Sequence, residues 1–238
     1  MAFLPEYGRF AEIFAENGFE ISEKQYETYS EYARLLVEWN EKMNLTGITD
    51  PDGIAVKHFL DSILPMKLTD IPQNAALIDV GTGAGFPGLP MKIYREDIAL
   101  TLLDSLNKRI NFLSAVCDEA KIKAKCVHAR AEEGGRDPLY REKYDVAVAR
   151  AVAAMPVLTE YCLPYVKVGG TFAALKGPNE NYRECEAALK ALGGELAQVS
   201  EYELPGGDKR MLICVRKIKP TEGKYPRNGG QISKKPLV

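Results

Sequence analysis

The run Asp79-Val80-Gly81-Thr82-Gly83-Ala84-Gly85-Phe86-Pro87-Gly88 follows an apolar stretch, Ala75 to Ile78, and stands 25 residues before a second acid, Asp104. An apolar strand ending in a carboxylate, a glycine-dense turn and a second strand ending in a carboxylate describe a pocket for an adenosine-bearing molecule. Glycines let the backbone approach such a ligand without a Cβ clash, and the helix amino terminus that follows favours a carboxylate. The turn has two readings. Gly83-x-Gly85-x-x-Gly88 fits a dinucleotide fingerprint, but Pro87 and Pro90 crowd the helix start and Asp79 holds a strand end that such folds keep apolar. The series acid-x-Gly-x-Gly-x-Gly, matched by Asp79, Gly81, Gly83 and Gly85, fits an S-adenosylmethionine loop. Asp104 would then accept both ribose hydroxyls, and Asp79 would receive the ammonium directly or through water. The second reading is preferred.

The elements that must position these residues fall into two regions. Up to about Lys67 the pattern is helical. Ser22 and Gln25 have capping-box spacing, and Tyr26, Tyr29, Ala33, Leu36 and Val37 recur at helical intervals through Glu41. The Asp50-Pro51-Asp52-Gly53 turn precedes a second helical face of Ile54, His58, Ile63 and Leu64. From Ala75 onward, strand-length runs at 75–80, 98–103, 125–129, 144–149 and 171–175 alternate with helical patterns such as Leu106, Ile110, Leu113, Cys117 and Tyr182, Glu186, Leu189, Leu192. This is an α/β chain with a doubly wound parallel sheet. Two further strands, 196–204 and 211–216, joined by Pro205-Gly206-Gly207-Asp208, predict a terminal hairpin with one antiparallel strand, a departure from a dinucleotide fold. The expected organisation is a helical cap over 1–70, a main domain over 71–217 and a basic tail over 218–238.

Composition narrows the function. Glu6, Arg9, Glu12 and Glu16 interrupt the amino terminus, which leaves no apolar segment long enough for a signal peptide or membrane span; the expectation is a cytoplasmic protein. Five isolated cysteines and only two histidines argue against a disulfide framework and against a metal site. The formal net charge is -2, yet 208–238 carries nine basic residues against two acidic ones, a surplus of +7 that leaves -9 on the rest. Such asymmetry either localises a polyanion at one edge or marks a solvated basic tail.

Missing motifs bear on the methyl acceptor. The fourth strand ends Ala149-Arg150-Ala151-Val152, with no Asn/Asp-Pro-Pro-aromatic motif for an exocyclic amine, and no Pro-Cys dipeptide offers a nucleophile for pyrimidine carbon. An acceptor that already holds a lone pair, such as purine N7, needs alignment and exclusion of water rather than a base. No residue is assigned as catalytic.

Asn44-Leu45-Thr46, His58-Phe59-Leu60-Asp61-Ser62, Asp79 to Pro90, Asp104 to Arg109, Arg130-Ala131-Glu132, Ala149 to Val152, Leu175-Lys176 and Lys224-Tyr225-Pro226-Arg227 occur in an order that resembles the RsmG family, also called glucose-inhibited division protein B. The resemblance runs from about residue 25 to the end. It implies a class I S-adenosylmethionine-dependent methyltransferase, Rossmann-like with a mostly parallel seven-stranded sheet. The implied substrate is N7 of one guanine in 16S ribosomal RNA or the small ribosomal subunit; apart from the resemblance, a monomer is expected. By matching motif, Gly81 and Phe86 would contact the cofactor, Asp104 the ribose, Ala131 and Glu132 the adenine region, and Arg150 the edge of the cofactor pocket.

Arg150 and Lys176 each end a predicted parallel strand, the edge where ligands bind in such sheets, and both are candidates to orient the guanine or its phosphate. His58 and Asp61 would hydrogen-bond to each other or shape a cap over the pocket, with His58 reaching RNA. Arg210, Lys224 and Arg227 are candidate phosphate contacts in the basic tail. That tail departs from the family pattern at Asn228-Gly229-Gly230-Gln231-Ile232. Two other readings stay open: a small-molecule methyltransferase, and a non-catalytic RNA-binding or ribosome-assembly module.

Overall fold

Ser22 starts the cap's main helix with a reciprocal cap: its side chain accepts the Gln25 N–H and the Gln25 side chain accepts the Ser22 N–H. The computed structural model describes residues 2–238. In the cap, α1 (Tyr7–Glu16) lies beside α2 (Glu23–Met43), and Asn44 ends α2 in the left-handed region, φ 49°. Phe10, Phe14, Tyr29 and Tyr32 are fully buried between them and the sheet domain, each worth about 1.5–3 kcal/mol of apolar burial. Both tyrosines keep their hydroxyls satisfied: Tyr29 donates to the Pro90 carbonyl at 2.9 Å and Tyr32 to the Ala84 carbonyl at 2.5 Å. The cap is thereby fixed to the glycine-rich turn.

The second helical stretch is not one regular helix. Asp50 caps α3 (Pro51–Gly53) through the Gly53 N–H, a π-helix follows over Ile54–Leu60, then α4 (Asp61–Ile63) and a 3-10 turn over Leu64–Lys67. π turns are rare and concentrate at functional sites. Here one carries His58 and leads directly into Asp61.

The sheet has seven strands in the order β3-β2-β1-β4-β5-β7-β6: β1 (Ala76–Val80), β2 (Ala99–Asp104), β3 (Ala124–His128), β4 (Tyr144–Arg150), β5 (Val166–Lys176), β6 (Gly194–Glu203) and β7 (Lys209–Lys217). Every pairing is parallel except those of β7, which runs against both neighbours, as the hairpin reading expects. Helices α5 (Gly88–Tyr94), α6 (Asn107–Glu119), α7 (Ala131–Gly134), α8 (Met155–Cys162) and α9 (Glu186–Leu192) connect the strands. Successive residues feed opposite cores. Leu77, Val146 and Val148 face the core shared with the cap, while Ile78, Val80, Ala147 and Ala149 face the one covered by α8 and α9. Burial on both faces explains why these strands read as unbroken apolar runs. The chain reverses its direction across the sheet between β1 and β4, the switch point where open α/β sheets bind ligands.

Two elements differ from the sequence reading. β5 begins at Val166 rather than Thr171, because a register shift against β4 absorbs Gly169-Gly170. Residues beyond Lys217 are not a solvated tail. Arg136 and Arg141 donate to the backbone of Thr221, Tyr225 and Pro226, Ile232 is buried, and the segment ends in α10 (Gly229–Lys234), capped by Asn228.

Candidate functional site

Two neighbouring cavities, about 460 and 470 Å³, lie at the carboxyl ends of the parallel strands. The first is lined by the Gly81–Ala84 backbone, Asp104, Ala131, Glu132 and Phe86. Lys57, Asp61, Lys176, Glu180 and Arg210 line the second. His58, Arg150 and Ala151 line both and so form the wall between them.

Two glycines, Gly81 and Gly83, bound the first cavity where it meets the turn. Gly81 and Thr82 donate to the Leu103 carbonyl at 2.8 and 3.1 Å, which moors the glycine turn to the end of β2. Gly83, at φ +61°, donates its N–H to Asp104 Oδ2 at 3.0 Å. A Cβ on Gly83 would meet nothing within 4 Å, whereas one on Gly81 would come within 3.0 Å of Val152. Gly81 and Gly83 therefore present bare backbone to the cavity, with the buried Asp104 carboxylate beside them. These residues fit S-adenosylmethionine: a bare backbone for the methionine and adenosine portions, and an acceptor for sugar hydroxyls.

Asp104 is almost fully buried. Its Oδ1 accepts the Leu106 N–H at 2.9 Å, and its Oδ2 also meets Arg109 Nη1 at 3.3 Å. Ala131 opens α7, and its carbonyl accepts the Tyr165 hydroxyl at 2.7 Å. Glu132 accepts Arg130 Nε at 2.6 Å.

Asp79 is the fourth residue of β1. It has no exposed surface and lines neither cavity. Its Oδ2 accepts Thr82 Oγ1 at 2.7 Å and the Gly88 N–H at 2.8 Å, so the carboxylate staples the two ends of the glycine turn. Its other oxygen, Oδ1, is buried with no hydrogen-bond partner. Burial pushes its pKa up to about 6.

The shared wall is a stack of charged and aromatic groups. Phe86 lies 4.5 Å from the His58 ring at 20°, and the Arg150 guanidinium sits 4.7 Å from the Phe86 centroid. Arg150 also reaches Asp61 Oδ2 at 3.2 Å. The other oxygen of Asp61 accepts the Tyr202 hydroxyl at 3.2 Å and faces Arg210 Nε at 3.5 Å. Of the two roles expected of His58 and Asp61, a bond to each other is not formed, because two arginines and a tyrosine take that carboxylate. His58 Nε2 instead pairs with Thr46 Oγ1 at 2.7 Å, and its buried Nδ1 has no partner. Burial and the neighbouring Arg150 push its pKa down to about 4.

Of the residues assigned to RNA, the structure brings His58, Arg150, Lys176 and Arg210 together around the second cavity. Lys224 and Arg227 line neither cavity. Lys224 is exposed beside Glu222, and Arg227 makes a two-pronged pair with fully buried Glu160 at 2.6 to 3.2 Å. The sequence reading assigned no role to Glu180, Tyr202, Thr46 or Arg109. Arg109 carried a signal, standing five residues after Asp104 in a named motif; the others meet the site through contacts that local patterns do not register. Among the described residues, no helix is long and apolar enough to cross a membrane, and no group of three His, Cys, Asp or Glu could hold a metal ion.

A family model described as GidB, rRNA small subunit methyltransferase G, matches residues 25–212. A Clostridium perfringens protein named ribosomal RNA small subunit methyltransferase G is 50% identical over 224 residues, which cover 92% of this chain and 94% of that protein. A protein of the same name from Acetivibrio thermocellus is also 50% identical, over 93% of this chain and 92% of the relative. Among solved structures, TrmN from Thermus thermophilus aligns with a TM-score of 0.52 at 15% identity, over 69% of this chain and 53% of that one. TYW2 from M. jannaschii in complex with AdoMet aligns with a TM-score of 0.50 at 13% identity, over 65% and 74%. At those identities the likeness concerns the fold alone, which is that of class I methyltransferases.

Proposed function

The chain belongs to the GidB family, the rRNA small subunit methyltransferase G proteins, and on that premise we propose that it methylates N7 of one guanine in 16S ribosomal RNA, with S-adenosylmethionine as donor. The observation that carries this reading is the pair of cavities divided by His58, Arg150 and Ala151. His58, Arg150 and Ala151 border both, so a donor in one and a base in the other would meet beside these residues, where N7 must approach the methyl carbon directly, in line with the bond to sulfur that breaks.

S-adenosylmethionine supplies, when bound, a methyl group on a sulfonium. The residues of this chain do the rest. Gly81 and Gly83 present backbone to the donor, Asp104 accepts from its ribose, and Ala131, Glu132 and Phe86 border the adenosine. Guanine N7 already has an available lone pair, so the transfer requires no proton removal and rests on alignment and exclusion of water. Neither residue at the boundary is called on as a base: Arg150 has no acceptor lone pair to offer, and His58, with its pKa pushed down to about 4, is a weak one. Arg210 and Lys176 supply positive charge at the second cavity, and exposed Lys224 is a phosphate contact further out. The reaction takes place in the cytoplasm, and one chain carries both cavities.

Isotope-labelled donor incubated with small subunits that lack the modification should yield labelled 7-methylguanosine. Label on any other atom refutes the N7 assignment, and donor binding without transfer to any subunit preparation favours a non-catalytic assembly role. Lys176→Ala should reduce RNA methylation while donor affinity stays within about twofold.

A further inference from the structure

Glu180 presents an unused hydrogen-bonding pattern to the second cavity. Its Oε1 accepts the Met155 N–H at 2.7 Å, and its Oε2 meets Lys176 Nζ at 2.9 Å. Lys176 in turn donates to the Ala153 carbonyl at 2.5 Å. A carboxylate oxygen accepts in two directions and an ammonium has three hydrogens. One acceptor direction therefore remains on each Glu180 oxygen, and one hydrogen remains on Lys176. Both side chains line the second cavity and neither lines the first. They are also held in place, with side-chain exposures of only 18% and 6%.

The groups left over are one donor beside two acceptors. Guanine presents the complement on its Watson–Crick edge: O6 accepts, while N1–H and the 2-amino group donate. Adenine offers a donor at the position of O6 and lacks the 2-amino group. We propose that Lys176 and Glu180 read the Watson–Crick edge of the acceptor guanine, with Lys176 donating to O6 and Glu180 accepting from N1–H and the 2-amino group. The proposal rests on the guanine-N7 reading above and adds the pair that selects the base. Gripped by that edge, the base turns its imidazole side, which carries N7, toward the boundary with the first cavity beside His58 and Arg150, where the donor's methyl group must meet it directly. The guanine must leave its stack to be held in this way. Because Met155 and Lys176 already fix the carboxylate, little side-chain freedom is lost on binding. Glu180 moves no proton; it chooses the base and sets its orientation.

The test uses the full-length enzyme, S-adenosylmethionine and small subunits reconstituted with either guanine or inosine at the reacting position. Inosine keeps O6, N1–H and N7 but lacks the 2-amino group. The wild-type enzyme should methylate the inosine substrate with kcat/KM reduced about tenfold or more. Glu180→Gln should lower kcat/KM on guanine by about ten- to a hundredfold, draw the guanine-to-inosine ratio toward one, and leave the Kd for the donor unchanged. Since Glu180 also holds the Met155 amide, the wild-type comparison decides the matter if the variant fails to fold. Equal wild-type rates on the two substrates, or an unchanged ratio in Glu180→Gln, overturns the proposal. Methylation at another atom overturns the N7 reading, whereas 7-methylguanosine formed without discrimination against inosine overturns the Glu180 assignment alone.

Discussion

Arg150, the last residue of β4, and Asp61, in the cap, form an ion pair at 3.2 Å across the boundary between cap and sheet. The same guanidinium lies over Phe86, the aromatic residue of the glycine turn. One side chain thus links the cap, the sheet and the first cavity. Its neighbour Arg210 approaches the same carboxylate from β7, so the hairpin at the end of the sheet takes part as well.

Removing one member of a buried pair leaves the other charge without compensation, at a cost of roughly 3 to 5 kcal/mol. Asp61→Asn should therefore lower the free energy of unfolding by about 3 kcal/mol, at the low end because Arg150 keeps some contact with solvent. Chemical denaturation measures it. A loss below about 1 kcal/mol would mean that the pair behaves as a surface contact.

Asp104 holds the Gly83 and Leu106 amides, and the ribose contact proposed for it rests on its charge. Asn in its place keeps one oxygen for the Gly83 or Leu106 N–H but removes the charge. Donor affinity should fall by about 1.5 to 3 kcal/mol, roughly ten- to a hundredfold, because charged acceptors make the stronger hydrogen bonds. Calorimetric titration with S-adenosylmethionine reads this directly, and an unchanged Kd would remove Asp104 from the ribose contact.

Gly83 and Gly206 are both at positive φ with open space where a Cβ would stand, but only Gly83 lines the first cavity. Alanine at either should cost about 1 to 2 kcal/mol for the left-handed backbone. Only Gly83→Ala should also weaken donor binding, since its methyl group would enter the space assigned to the donor. Equal donor affinities in the two variants would show that the turn does not contact the donor.

The parts legible in the sequence are those set by local pattern. Ser22 and Gln25 announced the start of α2, the apolar runs announced the buried strands, and the Pro205 to Asp208 turn announced the hairpin. The glycine turn and Asp104 could be placed because strand, turn and strand follow within a few tens of residues. What stayed hidden depends on contacts between distant segments. Asp61 meets Arg150 from 89 residues away and Tyr202 from 141, and Arg136 and Arg141 hold a carboxyl-terminal segment that composition alone presents as loose positive charge. Asp79 illustrates the remaining gap. Its position in the motif was clear, but the turn of its carboxylate toward Thr82 Oγ1 and the Gly88 N–H depended on the fold bringing those two donors to it.

Asp79 and His58 make opposite contributions to stability as pH changes. His58 falls from an ordinary value of 6.5 to about 4 in the folded chain. Between those values the unfolded state binds more protons, so this contribution is complete above about pH 6.5 and is lost as pH falls toward 4. Asp79 rises from 3.8 to about 6. Here the folded state binds more protons, so its contribution is complete below pH 3.8 and is lost as pH rises toward 6. Each shift corresponds to about 3 kcal/mol at most, and over the shared window the two largely cancel in the native chain. Asp79→Asn keeps an oxygen for Thr82 and Gly88 while removing the buried charge; its stability relative to the native protein should improve steadily from pH 4 to pH 6 and then level off. His58→Gln should do the reverse, improving relative to the native protein as pH drops from 6.5 to 4. Denaturant unfolding of the three proteins at pH 4, 5, 6 and 7 checks both slopes, and parallel profiles would mean that neither group titrates differently in the folded and unfolded states.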